Sequence, residues 1–274
     1  MNPVATTINH VGVAEVVIDF RPVNLMTIQV LRELASTFRE LAADDAVQAV
    51  VIRSANAEWF IAHFDVEAIQ AFSTELPAAT ELNGFHRMCE TLRTMPKPTI
   101  AEIDGRVGGG GSELALSCDM RFVTPESTFN QPEVALGILP GGSGTVRLPR
   151  LIGRSRALEM ILGCNDIDAV TAERWGLVNR VVAGDEITRF VDRLAGRIAS
   201  FPSHAVAAAK ASVLRAEVGV EADLRAEGND FSATLGYEET QRVMSRFIEL
   251  GGQTEAGERR LGELVGELWP QADR

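Results

Sequence analysis

Lysine is almost missing from this chain. Lys97 and Lys210 are the only two in 274 residues, so arginine supplies nearly all of the 26 basic side chains. Those are outnumbered by 38 Asp and Glu, which leaves a formal net charge of −12 and a pI of about 4.9. With no basic stripe, nucleic acid is not an expected partner. Cysteine is scarce too. Cys89, Cys118 and Cys164 are scattered through apolar segments. Neither a CxxC pair nor a Cys/His ligand spacing occurs, so the thiols read as small buried hydrophobes and no metal site is expected. No apolar run is long enough to span a bilayer, so no membrane association is expected. The opening MNPVATTINH has neither a basic n-region nor an apolar h-region, which makes the cytoplasm the expected compartment.

What is present is a core-forming chain, 46% hydrophobic, with hydrophobic periods that alternate between strand and helix. Val11–Phe20 is β-branched and reads as a strand. Ile28, Leu31, Leu34, Ala35, Phe38 and Leu41 recur at helical spacing and predict a helix over Thr27–Ala43. Val47–Arg53 and Trp59–Ala62 read as buried strands, and Asp65 as the N-cap of a helix. Thr80–Met95 reads as a second amphipathic helix, with His86 on its solvent side, ended by Pro96-Lys97-Pro98. Strands are expected at Thr99–Ile103, Arg121–Thr124 and Leu177–Val182. Helix is expected over Pro149–Leu162, broken at Gly153 with Ser155 as a new N-cap. Beyond Asp185 the chain reads as helical, with breaks at Gly228 and Gly236, and Gly251-Gly252 precedes a charged tail from Thr254 to Arg274. The expected organisation is an α/β core over residues 1–200 and a helical C-terminal region over residues 201–274.

The most informative stretch is Asp104–Thr145. Four glycines, Gly108–Gly111, run into Ser112-Glu113-Leu114-Ala115, a loop without side chains that opens a helix. Glycine lets a ligand come close to the backbone, and the first N–H groups of a helix have no internal partner. Gln131-Pro132-Glu133 and a second glycine-rich loop, Gly141-Gly142-Ser143-Gly144, follow. Two carboxylates beside two such loops suggest acid/base chemistry next to an anion-stabilising pocket. Taken singly, Glu113 could serve only its own helix start and Glu133 could be an ordinary first-turn glutamate.

These motifs, with Cys118-Asp119, Pro140-Gly141-Gly142-Ser143-Gly144-Thr145 and Ala172-Glu173-Arg174-Trp175-Gly176-Leu177-Val178, resemble the enoyl-CoA hydratase/isomerase (crotonase) superfamily over roughly residues 10 to 215. The resemblance implies an α/β fold made of a spiral of ββα units with a helical C-terminal region. It implies an acyl-CoA thioester as substrate, with coenzyme A as part of that substrate and no separate cofactor. It also implies a homotrimer, or a homohexamer built as a dimer of trimers. Glu113 and Glu133 match the two catalytic glutamates. The backbone N–H groups of Phe64 and Gly110 match the oxyanion-hole donors. Ala62, His63, Asp65, Gly109, Pro140 and Gly141 fall at substrate-binding positions. The chain departs from the pattern at His63-Phe64, where the family usually carries small residues. The Phe64 ring then either narrows the acyl channel or turns into the core, and His63 is either catalytic or a hydrogen-bonded packing residue. Hydration of a 2-enoyl-CoA is the expected reaction. Isomerisation, thioester hydrolysis, C–C cleavage and a non-catalytic CoA-binding role are the alternatives.

Overall fold

The computed structural model describes residues 2–73 and 79–269, so the end of the predicted tail lies outside the described residues. The strands are β1 (Val4–Ile8), β2 (Val13–Ile18), β3 (Ala49–Ser54), β4 (Trp59–Ile61), β5 (Thr99–Ile103), β6 (Arg106–Gly108), β7 (Met120–Val123), β8 (Thr128–Asn130), β9 (Ile167–Asp168) and β10 (Arg180–Val181). Helices α1 (Ile28–Ala43), α2 (Val66–Gln70), α3 (Gly84–Thr94), α4 (Gly109–Leu116), α5 (Gly144–Ile152), α6 (Arg154–Gly163), α7 (Ala169–Trp175) and α8 (Ile187–Ala199) belong to the same α/β part. Five more follow: α9 (Ser203–Leu214), α10 (Val220–Leu235), α11 (Glu238–Glu249), α12 (Glu255–Glu258) and α13 (Leu261–Gly266).

Six strands form one sheet in the order β1-β2-β3-β5-β7-β10, and four form a second in the order β4-β6-β8-β9. The chain steps from one sheet to the other and then makes a helix: β3-β4 then α2 and α3, β5-β6 then α4, β7-β8 then α5 and α6. This is the spiral of ββα turns. The antiparallel pairs are β1 with β2 and β8 with β9; the other neighbours run parallel. A parallel sheet covered on both faces needs apolar residues at every position. In β3, Val50 and Ile52 face the main core with α1 and α3, while Ala49 and Val51 face Ile187, Val191 and Ala195 of α8.

Helix α1 follows its expected period, burying Val30, Leu34, Phe38 and Leu41, with the Thr27 side chain accepting the Val30 N–H. Strand β1 escapes sequence reading because only Val4 of its five residues is buried. Several helix boundaries differ from expectation: α3 starts at Gly84, capped by Asn83, and not at Thr80, and α5 starts at Gly144, ahead of the expected Pro149. Helix α6 starts after Gly153, whose φ is +81°, so Ser155 lies inside the helix and is not its cap. Gly228 does not break α10, which runs through to Gly236. Beyond the sheets, Leu235, Met244, Phe247, Leu261 and Leu264 pack with Val66, Ile69, Leu136 and Ile138. The C-terminal helices therefore lie against α2 and the segment after Glu133, close to the glycine-rich loops.

Candidate active site

Strand β6 delivers the chain into α4 with Gly108 as N-cap and no side chain capping the helix start. Every residue of α4 is buried. Such an end has N–H donors without intrahelical partners, and it adds the positive end of the helix dipole to the cavity it faces. Glu113 sits one turn in and is 3% exposed. Its Oε1 accepts the N–H groups of Gly142 and Gly144, both at 2.8 Å, so the second glycine loop is folded around the first carboxylate. A side chain at Gly142 would collide with Glu113 Oε2. Glu133 opens a short 3-10 turn, Glu133–Leu136, after Pro132, and is 8% exposed. The Gln131 amide donates to its Oε2 at 3.4 Å. A Cβ on Gly109, whose φ is +43°, would fall 2.6 Å from Glu133 Oε1. Glycine at that position is what allows the carboxylate to approach the helix start.

Burial dominates the electrostatics of this pair, because removing a carboxylate from water favours its neutral form. It raises the Glu113 carboxyl well above the usual range, reinforced by the charges of Glu133 and Glu227 and opposed by the Gly144 and Gly142 N–H bonds. Glu133 is pushed up to about 7, chiefly by burial. A backbone hydrogen bond and the charge of His63 pull it down, and Glu227 pushes it further up. Interacting carboxyls titrate as a pair, and both shifts favour keeping a proton on the pair toward neutral pH.

Both carboxyls border a cavity of about 610 Å³ that also exposes Phe64, Gly110 and Gly141. A Cβ built on Gly110 would lie 3.3 Å from the Phe64 Cβ and 3.6 Å from the Phe64 nitrogen, so the two backbone segments are neighbours. No group among the described residues accepts the Phe64 N–H. The Phe64 ring is half-buried and meets Phe72 and Phe85 edge to face, with centroids 6.0 and 6.1 Å apart. It borders the cavity and packs against the core at once.

The other expected site residues stand behind this wall. The Ala62 N–H donates to Val23 O, and Asp65 caps α2 by accepting the Glu67 N–H. Gly109 touches Glu133, and Pro140 braces Gly144. His63 is 3% exposed and turned away, with Nδ1 2.7 Å from Phe64 O and Nε2 2.9 Å from Glu258 Oε1. His86 is not on the surface as the periodicity implied. It is 1% exposed and its Nε2 lies 3.1 Å from Glu227 Oε2. Glu227 and Glu258 come from helices far along the chain, and local pattern carries no sign that either meets a histidine. Among the described residues no group of three or more His, Cys, Asp or Glu is arranged to hold a metal ion.

Comparison with known proteins identifies the family. The profile of the enoyl-CoA hydratase/isomerase family matches residues 9–254. The chain is 33% identical over 230 residues to the short-chain-enoyl-CoA hydratase of Clostridium acetobutylicum, covering 84% of this chain and 88% of that one. It is 34% identical over 234 residues to the crotonyl-CoA hydratase of Syntrophomonas wolfei, again covering 84% and 88%. Among solved structures, a provisionally assigned enoyl-CoA hydratase from Streptomyces avermitilis superposes with a TM-score of 0.88 at 34% identity, covering 97% and 98% of the two chains. With this match over most of its length, the chain belongs to the enoyl-CoA hydratase/isomerase, or crotonase, family of enzymes.

Proposed function

We propose that this enzyme is a hydro-lyase that adds water across the C2–C3 double bond of a 2-enoyl-CoA thioester. The observation that carries the reading is the meeting of two buried carboxyls, Glu113 and Glu133, in one cavity with the Phe64 and Gly110 backbone. The thioester oxygen lies between the Phe64 and Gly110 N–H groups, which stabilise the negative charge it gains as the enolate forms. A water held between the carboxyls attacks C3. One carboxylate takes the proton of that water, and the carboxyl that holds the shared proton delivers it to C2. Atoms balance: the water supplies a hydroxyl to C3, and a hydrogen reaches C2. The relatives named for hydration of short enoyl-CoAs support this choice among the reactions of the family.

The acyl-CoA brings its own coenzyme, and the reading needs no other cofactor. The same reading places the enzyme in the cytoplasm as a trimer or a dimer of trimers. The oligomer is supported by α9, which has no fully buried residue within this chain, by exposed Val213 on that helix and by exposed Val218 just after it. The decisive test is loss of enoyl absorbance when pure protein meets crotonyl-CoA. Steady turnover is expected. Tight CoA-thioester binding with no turnover on any enoyl-CoA would replace the proposal with a non-catalytic binding role.

A further inference from the structure

Another wall of the same cavity carries polar atoms that hydration does not use. His86 borders the cavity although only 1% of its surface is exposed. Its Nε2 faces Glu227 Oε2, while Glu227 Oε1 accepts both the N–H of Thr145, at 2.9 Å, and the Thr145 hydroxyl. A carboxylate holding those donors is an acceptor toward the ring as well, so Nε2 carries the hydrogen. With the hydrogen on Nε2, Nδ1 carries the lone pair of that tautomer, and no group among the described residues bonds it. Asn83 stands beside it. Its Oδ1 accepts the His86 N–H at 2.8 Å, which identifies the oxygen and turns the amide NH2 the other way.

Gly228 locates the space between these two atoms. A Cβ built there would lie 3.6 Å from Asn83 Nδ2 and 3.8 Å from His86 Nδ1. One point on the cavity wall is therefore flanked by an acceptor and a donor. The glycine that leaves it open sits inside α10, where glycine is the poorest helix former after proline. A hydroxyl matches both neighbours, since its O–H donates to Nδ1 and its oxygen accepts from Nδ2. A carboxylate would set lone pairs against Nδ1, an ammonium would not answer the Asn83 NH2, and a methyl would leave the buried Nδ1 unpaired, while the exposed Asn83 amide keeps water. We infer that His86 and Asn83, facing each other across Gly228, are specificity-determining residues that select an enoyl-CoA bearing a hydroxyl group on its acyl chain. This rests on the reading of the cavity as an acyl-CoA site.

The test is calorimetric binding of unreactive saturated acyl-CoAs, from butyryl to octanoyl, each with and without a terminal hydroxyl. Coenzyme A is common to each pair, so its own hydroxyls cancel. At one chain length the hydroxylated ligand is expected to bind roughly tenfold tighter, the worth of one hydrogen bond to the buried His86 nitrogen. Gly228→Ala should bring that ratio to about one. The added methyl meets only ordinary contacts and favours the helix, so its melting temperature should not fall. His86→Phe should remove the preference by deleting the acceptor. Ratios within about twofold at every length in the unaltered enzyme would overturn the inference, as would a preference that survives both substitutions. If the preference holds while crotonyl-CoA is not hydrated, the hydroxyl site stands and the hydratase reading falls.

Discussion

Glu113 and Glu133 are ordinary glutamates until the fold takes them out of water. In the proposed mechanism, replacing either with Gln keeps the shape and removes the proton relay, so turnover should drop by about two to four orders of magnitude while the protein stays folded. Steady-state kinetics beside melting curves check this, and near-normal turnover in either variant would remove that residue from the mechanism. The raised Glu133 carboxyl has a second consequence. Its folded state holds the proton up to about pH 7, while the unfolded chain releases it near pH 4.5. The native protein binds more protons in that window, so this group lowers stability as pH rises through it. Glu133→Gln should therefore match the parent near pH 4 and gain stability by pH 8, by at most about 3 kcal/mol. Thermal melts at the two pH values measure it. At Phe64 the ring borders the cavity, while in the proposed mechanism the donor is its backbone N–H. Phe64→Ala should keep the N–H and widen the channel, raising kcat/KM for longer enoyl-CoAs about tenfold to two-hundredfold over short ones. An unchanged chain-length profile would make the ring a packing residue alone.

At the scale of elements, the segment that carries Phe64 is held from the far end of the chain. Glu258 of α12 bonds His63, and it also accepts the Gln253 N–H at 2.8 Å. The Gln253 side chain accepts the Val66 N–H at 2.6 Å. Burial opposes a charged His63, but the charge and hydrogen bond of Glu258 outweigh it and raise the imidazole to about 9. The stabilisation from this pair is complete below about pH 6.5, declines as pH rises, and is lost above about pH 9. Glu258→Gln should cost on the order of 3 kcal/mol at pH 6, and the deficit should shrink toward pH 9. Equal deficits at both pH values in chemical denaturation would show that His63 is not charged in the fold. The glycine loop before α5 has the same dual character. Gly142 and Gly144 hold Glu113, and Thr145, one step on, holds Glu227.

The whole molecule presents apolar surface that one chain does not cover. Val213, Val218, Leu162 and Val170 are each more than 60% exposed, and Val213 belongs to α9, which has no fully buried residue and tucks in only the Lys210 side chain against Asp119. Scattered apolar residues are normal on a surface, but a helix with no buried residue obtains its stability from elsewhere. Light scattering at working concentration should give a trimer or hexamer, and Val213→Asp should shift it toward smaller species. A parent protein that is monomeric would remove the oligomer from the proposal. Among the described residues no helix is long and apolar enough to cross a membrane.

Much of this protein is legible in local pattern. The helical period of α1, the apolar runs of β3 and β5, and the two glycine loops beside Glu113 and Glu133 are properties of neighbouring residues, and neighbouring residues suffice to specify them. Edge strand β1 and the uninterrupted passage of α10 through Gly228 are not, because the partner strand and the packing of the whole helix override a weak local signal. The histidines show the limit most clearly. His63 and His86 are each paired with a glutamate more than a hundred residues away. Whether an imidazole is solvated, charged or turned into a cavity depends on what lies within a few ångströms of it in space. Only the folded chain brings Glu258 to one ring and Glu227 to the other.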